Sequence, residues 1–344
     1  MRHLRGDPAR RSSCSSVVRF LAACVLVVDR SVEVRAAAEP PLGGSARPDR
    51  RDATFAGLAA ERQEVFFEDL PEGFHDDVDS ITVAVGGHHT CALEYRPGVD
   101  FGGPVRCWGR DDWGQSMPSD DIFVQVSAGN RHTCGIKIDQ TVSCWGHMPF
   151  SPRGFFQQLS VGGHHTCGLR REGTAVCWGD DIAGSTSGVP ANTIFVQVVA
   201  GKDNSCGLRP NGQVDCWGGN KAGQSTPPRD VQFRQLSASN SRHVCGLTLE
   251  RDIRCWGRDM RGETQFRRGP WYQVTCGQWT TCGIRRNDGG IECWGMKTLN
   301  KTSAFYEEVS SADFHTCAVD ENGEVECWGN ALQAELVPDG FQAA

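Results

Sequence analysis

Apolar and polar residues alternate in short segments that recur every 33 to 39 residues along most of this chain. In residues 122–128 ("IFVQVSA") and 194–200 ("IFVQVVA") the alternation predicts a half-buried strand. Each segment leads to a cysteine, a turn-forming stretch and the motif Cys-Trp-Gly. Every copy therefore predicts one strand followed by a hairpin, and the fold class is all-β.

Seven copies of this unit account for fourteen of the seventeen cysteines. A repeat of this length is typical of stacked or radially arranged architectures. The first cysteines of the copies are Cys91, Cys134, Cys167, Cys206, Cys245, Cys282 and Cys317. The cysteines of Cys-Trp-Gly are Cys107, Cys144, Cys177, Cys216, Cys255, Cys293 and Cys327.

The spacing within each copy favours a disulfide across the hairpin. If Cys206 opposes Cys216, a three-residue turn remains, with Gly212 placed for a left-handed conformation. Side chains alternate across a strand, so the cysteines face one side and each tryptophan packs against the neighbouring repeat on the other. Zinc is the alternative, but structural zinc sites favour cysteines two to four residues apart. The Cys-x-x-Cys spacing of thiol redox centres is absent from the chain.

Two further positions recur ahead of the first cysteine. In six copies a glycine or asparagine stands five residues before the first cysteine, which predicts a tight turn with positive φ. The exception is Ala312. In five copies a histidine stands two residues before the first cysteine, and we expect its side chain to hydrogen-bond to the adjacent turn. These histidines are His89, His132, His165, His243 and His315.

The N-terminal residues resemble a secretory leader. Residues 1–38 combine arginines, a nine-residue apolar run at 20–28 and an Ala-Ala-Ala end, and the apolar run is too short to span a bilayer. Cys24 also lies in a lipoprotein-like "LAAC", which leaves a lipid anchor as the alternative. We predict a signal peptide over 1–38, a linker over 39–73 and the repeat domain over 74–344. The disulfides agree with the oxidising compartment to which a leader would direct the chain.

Charge disfavours nucleic acid as a partner. The formal net charge is −7, and the predicted leader contributes +4, so the remaining chain carries −11.

Cys276 stands where other repeats have Ala128 or Ala200, which favours a small buried thiol over intermolecular pairing. Acid pairs such as Asp111-Asp112 and Asp180-Asp181 favour solvated loops over calcium ligands or an acid catalyst. No catalytic residue, cofactor site or metal site is predicted.

The unit resembles the repeats of the regulator of chromosome condensation superfamily, a group that includes the second β-lactamase inhibitor protein. The resemblance rests on "GGHHTCGL…GTAVCWG" in residues 162–179 and on "GQS" at 114–116 and 223–225. It implies a seven-bladed β-propeller, and the paired cysteines look most like the secreted branch. The tail "PDGF" (338–341) resembles "PEGF" (71–74), as expected if the first and last blades share one repeat that closes the ring.

Fold alone does not decide function, so the differences between repeats matter most. The first hairpin is enlarged, and Trp113, Trp271 and Trp279 fall outside the Cys-Trp-Gly motif. Tyr95, Phe101 and Trp113 are the candidate partner-binding residues, although packing between blades would also explain Trp113 and Trp271. "NKT" makes Asn300 a candidate glycosylation site.

We expect a secreted, monomeric, non-catalytic module that binds a protein or a glycan through its rim loops. The alternatives are a nucleotide-exchange, chromatin or scaffold role inside the cell, and a secreted enzyme or enzyme inhibitor that uses a rim surface.

Overall fold

The computed structural model describes residues 83–94, 102–147, 150–296, 300–329, 337, 338, 341 and 343. All of them belong to one compact unit. They form twenty-one strands in seven antiparallel three-stranded units that follow one another along the chain. A single 3₁₀ turn at Ile182–Gly184 is the only helical element among these residues.

The strands of units 1 to 4 have the following bounds. Unit 1 contains β1 (Val83–Val85), β2 (His89–Leu93) and β3 (Gly103–Gly109), and unit 2 contains β4 (Ile122–Ala128), β5 (His132–Lys137) and β6 (Val142–Gly146). Unit 3 contains β7 (Phe156–Val161), β8 (His165–Arg170) and β9 (Ala175–Gly179), and unit 4 contains β10 (Gln197–Ala200), β11 (Asn204–Leu208) and β12 (Val214–Gly218).

The remaining three units follow the same plan. Unit 5 contains β13 (Phe233–Ser237), β14 (His243–Thr248) and β15 (Ile253–Gly257). Unit 6 contains β16 (Trp271–Cys276), β17 (Thr280–Arg285) and β18 (Ile291–Gly295), and unit 7 contains β19 (Tyr306–Ser311), β20 (His315–Asp320) and β21 (Val325–Gly329).

The hairpin register follows the cysteine spacing. Cys206 pairs directly with Cys216 and Leu208 with Val214, as predicted. Each of the seven units carries one disulfide between its second and third strands, so the prediction of one hairpin disulfide per unit is confirmed. Gly212 has a φ of +80°, which is the left-handed turn conformation expected there.

The seven units meet through apolar interfaces with two different sides. At one interface Cys91 and Leu93 of unit 1 pack with Phe123, Val126 and Trp145 of unit 2. The same arrangement recurs at the other interfaces, so the disulfide side of one unit always contacts the tryptophan side of the next. A single hairpin unit could not bury a tryptophan by itself, and the repeats stabilise one another for this reason.

The first strands form a closed ring. They contact one another in chain order from β1 through β4, β7, β10, β13 and β16 to β19, and β19 contacts β1 again. At the closing interface the backbone N–H groups of Val83 and Val85 donate to Glu308 Oε1 and Ser310 Oγ. The molecule is therefore a β-propeller of seven three-stranded blades.

The C-terminal tail completes the first blade. Ala343 pairs with Glu94, the same pairing that Phe123 makes with Lys137 in unit 2. Phe341 packs against Trp108 with ring centroids 5.7 Å apart. These contacts agree with the ring closure that the tail predicts, while its counterpart at 71–74 lies outside the described residues.

The prediction of positive φ five residues before the cysteines is wrong for the glycines. Asn240, with a φ of +45°, is the one member of this set in that region. Glycine is required at these positions for a steric reason. A Cβ atom on Gly129 would overlap the carbonyl oxygen of Gly162, and a Cβ atom on Gly162 would overlap the carbonyl oxygen of Gly201. At these two positions the backbones of neighbouring blades approach so closely that a side chain cannot be placed between them.

Positive φ occurs instead at the last residue of the Cys-Trp-Gly motif. All seven of these glycines have a φ between +91° and +124°, a region that residues with a Cβ rarely adopt. The motif glycines are Gly109, Gly146, Gly179, Gly218, Gly257, Gly295 and Gly329. They end the third strand of each blade and direct the chain into the loop that leads to the next blade.

Candidate partner-binding face

At one end of the propeller the residues differ from blade to blade. The second strand of each blade begins opposite the glycine that ends the third strand, as His89 does opposite Gly109. The turns before the second strands and the loops after the third strands therefore share one end of the molecule, here called the turn face. One residue per blade precedes the second strand there: His88, Arg131, His164, Asp203, Arg242, Trp279 and Phe314.

Trp113 is an exposed aromatic residue at the centre of a small cluster on this face. It lies in the loop between β3 and β4, and 48% of its surface is exposed. The Arg131 guanidinium carbon lies 5.5 Å from its ring centroid, and His147 contacts it edge-on with centroids 4.6 Å apart. Exposed Arg131 and His147 thus hold the indole by cation–π and aromatic contacts.

The loop that carries Trp113 is fixed to the blade below it. Its buried residue Gln115 accepts hydrogen bonds on the backbone carbonyl from Trp145 Nε1 at 2.9 Å and from Thr133 Oγ1 at 3.1 Å. The Gln115 side chain in turn accepts from the Trp113 backbone N–H at 2.8 Å. Trp113 is therefore exposed on a loop whose backbone position is set by buried contacts.

The acidic residues of these loops are bound to the loop backbone. Asp111 Oδ1 accepts from the N–H of Ser116 at 2.8 Å, and Asp181 Oδ1 accepts from those of Thr186 and Ser187 at 2.9 and 3.0 Å. Hydrogen bonds from Ser187 and Thr186 hold the pKa of Asp181 well below its usual range. One carboxylate of each of these acid pairs thus shapes its own loop.

A second aromatic pair extends the surface toward blade 7. Phe314 is 41% exposed and stacks on His88 with ring centroids 5.0 Å apart. Burial lowers the pKa of His88, and the charges of Arg110 and Arg131 lower it further. His88 is therefore neutral near pH 7 and lies within the electrostatic influence of the arginine that contacts Trp113.

The cationic groups of the cluster are arginines: Arg131 contacts Trp113, while Arg110 is ion-paired with Asp112. Burial lowers the pKa of His164, nearby Asp180 opposes this shift, and Lys202, Arg131 and His147 add to it. His164 Nδ1 lies 4.0 Å from an Asp180 carboxylate oxygen. We call the set of Arg110, Arg131, His88, His147 and His164 around Trp113 and Phe314 the basic–aromatic patch.

Polar contacts cross the centre of the turn face. Asn240 of blade 5 donates to Asp313 of blade 7 at 2.7 Å. Burial raises the pKa of Asp313 to about 6, although Lys202, the Asn240 hydrogen bond and Arg258 act in the opposite direction. Blades that are not neighbours in the ring are joined here.

The five repeated histidines have a different partner from the expected turn. His89 Nε2 lies 2.7 Å from Thr133 Oγ1 of the next blade, and the same contact recurs from His132, His165, His243 and His315 to a threonine or serine. The expected bond to the adjacent turn is therefore wrong, because the side chain crosses the interface between blades. Such positions are structural and do not form a binding site.

Three of the blades match a known repeat. The sequence model of the regulator of chromosome condensation (RCC1) repeat matches residues 123–150, 156–184 and 195–224, which span blades 2, 3 and 4. The chain carries repeats of the regulator of chromosome condensation superfamily. The RCC1-type repeat thus begins at the buried aromatic residue in or just before the first strand and ends in the loop after Cys-Trp-Gly.

Two solved structures share the arrangement of these RCC1-type blades. The CRINKLY WD40 ectodomain of the Arabidopsis thaliana receptor kinase ACR4 superposes with a TM-score of 0.62 at 25% identity, covering 74% of this chain and 96% of that one. The ectodomain of the Physcomitrella patens receptor kinase CR4 gives a TM-score of 0.62 at 24% identity and covers 73% of each chain. Both are ectodomains of receptor kinases.

The other residues singled out from the sequence lie in different places. Tyr95 and Phe101 lie outside the described residues. Trp271 is buried and packs on Trp294 with centroids 6.0 Å apart, in the position that Phe123 occupies in blade 2. An alignment of the first strands on this aromatic position would have identified Trp271 as a core residue. Asn300 is exposed, and its side-chain oxygen accepts from the Cys293 N–H at 3.0 Å.

No helix within the described residues is long and apolar enough to cross a membrane.

Proposed function

We propose that this protein is an extracellular, non-catalytic binding propeller that docks a protein partner on its turn face. The observation that carries the proposal is Trp113, which is half exposed on a loop fixed from below and is flanked by Arg131 and His147. Tryptophan and arginine are the residues most enriched at the energetic centres of protein interfaces. Within the basic–aromatic patch, Arg131 lies beside the exposed indole and favours a carboxylate on the partner surface.

The extracellular location is supported by the covalent structure. Seven disulfides persist in oxidising compartments and are rare in reducing ones. The similarity to two receptor ectodomains points the same way. The signal peptide at 1–38, the linker at 39–73 and a glycan at Asn300 belong to this proposal. An intracellular exchange, chromatin or scaffold role is disfavoured by the same disulfides.

The proposal is tested by changing the patch without changing the fold. W113A and R131A remove the exposed indole and the cation above it, and F155A removes an exposed phenylalanine at the opposite end of the propeller as the matched control. The proteins are produced with native disulfides and cross-linked to proteins at the surface of their source cells. Because a central interface tryptophan contributes at least about 2 kcal/mol, W113A is expected to lose ~30-fold in affinity for the captured partner.

Stability provides the control. Substitution of an exposed side chain changes the free energy of unfolding by about 0.5 kcal/mol or less, so all three variants should unfold like the wild type. Equal binding by W113A, R131A and F155A would contradict the proposal. If capture is abolished by deglycosylating the cell surface, the partner is a glycan, and the protein assignment fails while the binding face stands.

A further inference from the structure

Cys276 is the one free cysteine among the described residues, and it is completely buried. It ends β16 of blade 6, a position from which other blades face the disulfide of the preceding blade. In blade 7 the equivalent Ser311 Oγ lies 3.6 Å from Cys282 Sγ of blade 6. Cys276 accordingly faces the disulfide of blade 5.

The sulfur atom of Cys276 lies close to the Cys245–Cys255 disulfide. Cys276 Sγ, Cys245 Sγ and a ring nitrogen of His243 all lie within 4.8 Å of one another, and Cys245 is bonded to Cys255. The same apolar cluster holds Cys245 and Cys276 together with Trp271 and Trp294. Among the described blades, only blade 5 has a thiol beside its disulfide.

We propose that Cys276 and the Cys245–Cys255 disulfide form a thiol–disulfide exchange site. The Cys276 sulfur attacks Cys245 Sγ, a bond forms between these two sulfurs, and the Cys245–Cys255 bond breaks. Cys255 leaves as a thiolate and takes up the proton that Cys276 releases, so the exchange needs neither an oxidant nor a reductant.

The exchange changes which parts of the molecule are linked. The original bond joins β14 to β15 within blade 5, whereas the new bond joins β14 of blade 5 to β16 of blade 6. The free thiol moves at the same time from buried Cys276 to Cys255, which is partly exposed on the third strand of blade 5. A thiol hidden in the core thereby becomes available at the surface for modification or for pairing with another molecule.

The surroundings explain why the original pairing persists. Burial raises the pKa of the Cys276 thiol to about 12, and it lowers the pKa of His243 to about 3, so near pH 7 the thiol is protonated and the imidazole carries no charge to stabilise a thiolate. Exchange is therefore slow and proceeds over a time on the order of hours.

The test traps the released thiol in the native, oxidised full-length protein. The protein is incubated at pH 8 for a day with excess N-ethylmaleimide and no reductant, then digested in acid and mapped without reduction. We expect at least ten-fold more label on Cys255 than on Cys276, with a Cys245–Cys276 disulfide peptide in matching amount. Label on Cys276 with Cys245–Cys255 intact, or no label on either residue, would overturn the proposal.

Two variants test whether the Cys276 thiol causes the release of Cys255. C276A installs the alanine found at Ala128 and Ala200, so it should fold and show no label on Cys255; label there would mean that the disulfide opens without Cys276. A200C in the C276A background places a thiol beside Cys167, which shares an apolar cluster with Ala200. Label should then appear on Cys177, and label on the introduced thiol instead would contradict the geometric basis of the proposal.

Discussion

At the scale of single residues, the contacts between blades depend on a defined histidine tautomer. Thr133 donates its hydroxyl proton to the Gln115 carbonyl, so His89 must donate from Nε2 to the Thr133 oxygen. This assignment leaves Nδ1 of His89 as an unprotonated acceptor, which agrees with its lack of a partner. One blade has asparagine instead, Asn204, and the position equivalent to Thr133 in the next blade is Val244, which has no hydroxyl.

We expect T133V to destabilise the protein by about 1–3 kcal/mol, because it leaves the buried His89 Nε2–H and the Gln115 carbonyl each without this partner. The matched variant V244T places a hydroxyl opposite Asn204, whose buried side-chain amide has no partner, and should not destabilise. Chemical denaturation measures both changes. Equal losses in the two variants would show that the loss comes from altered packing rather than from the hydrogen bond.

At the scale of elements, the first strands determine how closely the blades approach. A side chain on one first strand accepts a backbone N–H from the next: Gln125 Oε1 from Leu159 at 2.7 Å and Ser127 Oγ from Val161 at 3.0 Å. The contact recurs around the ring to Glu308, which accepts from Val83. Glycine at the end of these strands allows the backbones to come within this distance.

We expect G129A to cost more than about 2 kcal/mol, because its methyl group would overlap the Gly162 carbonyl oxygen, and a rigid backbone cannot move aside as a side chain can. A312G is the matched variant, since Ala312 is the one alanine at this position of the ring. Removal of its buried methyl group should cost about 1 kcal/mol. Thermal and denaturant unfolding of both variants measure the difference, and a G129A protein as stable as the wild type would exclude the close-approach explanation.

At the scale of the whole molecule, the buried histidines make stability depend on pH. Burial is the main cause that lowers the pKa of His89, His132 and His243 to about 3 and of His165 and His315 to about 4. The unfolded chain binds protons at these groups below their ordinary pKa near 6.5, whereas the folded protein does not. Their contribution is complete above pH 6.5 and is lost as the pH falls toward 4.

We therefore expect the free energy of unfolding to fall between pH 6.5 and 4, because each of these histidines takes up its proton only in the unfolded chain. Asp313 acts in the opposite sense, because its pKa is raised to about 6 and the folded state holds its proton between pH 6 and 3.8. Because five histidines lower the stability as the pH falls and one carboxyl group raises it, the net stability decreases. Unfolding measured from pH 7 to 4 should show the loss, and H132N, which copies Asn204, should show a shallower slope. A flat profile would contradict the burial of neutral histidines.

The sequence by itself determined the parts of the structure that depend on short spacings. The interval between Cys206 and Cys216 sets a hairpin register, and the register sets both the disulfide and the side to which Trp217 points. Seven repeats of one unit predicted a stacked or radial architecture, and the resemblance to the regulator of chromosome condensation repeats, with the tail resembling residues 71–74, implied a closed propeller. Each of these inferences concerns residues of one blade or a pattern repeated at a fixed interval.

Only the tertiary structure decided the contacts between blades. Positions 34 to 44 residues apart meet there, as His89 meets Thr133 and His132 meets Thr166, and their distance in sequence carries no signal. The same holds for the close approach at Gly129, for the contact of Arg131 and His147 with Trp113, and for the Cys276 thiol beside Cys245. These arrangements follow from how the blades turn around the axis, because that rotation selects which side chains of neighbouring repeats come together.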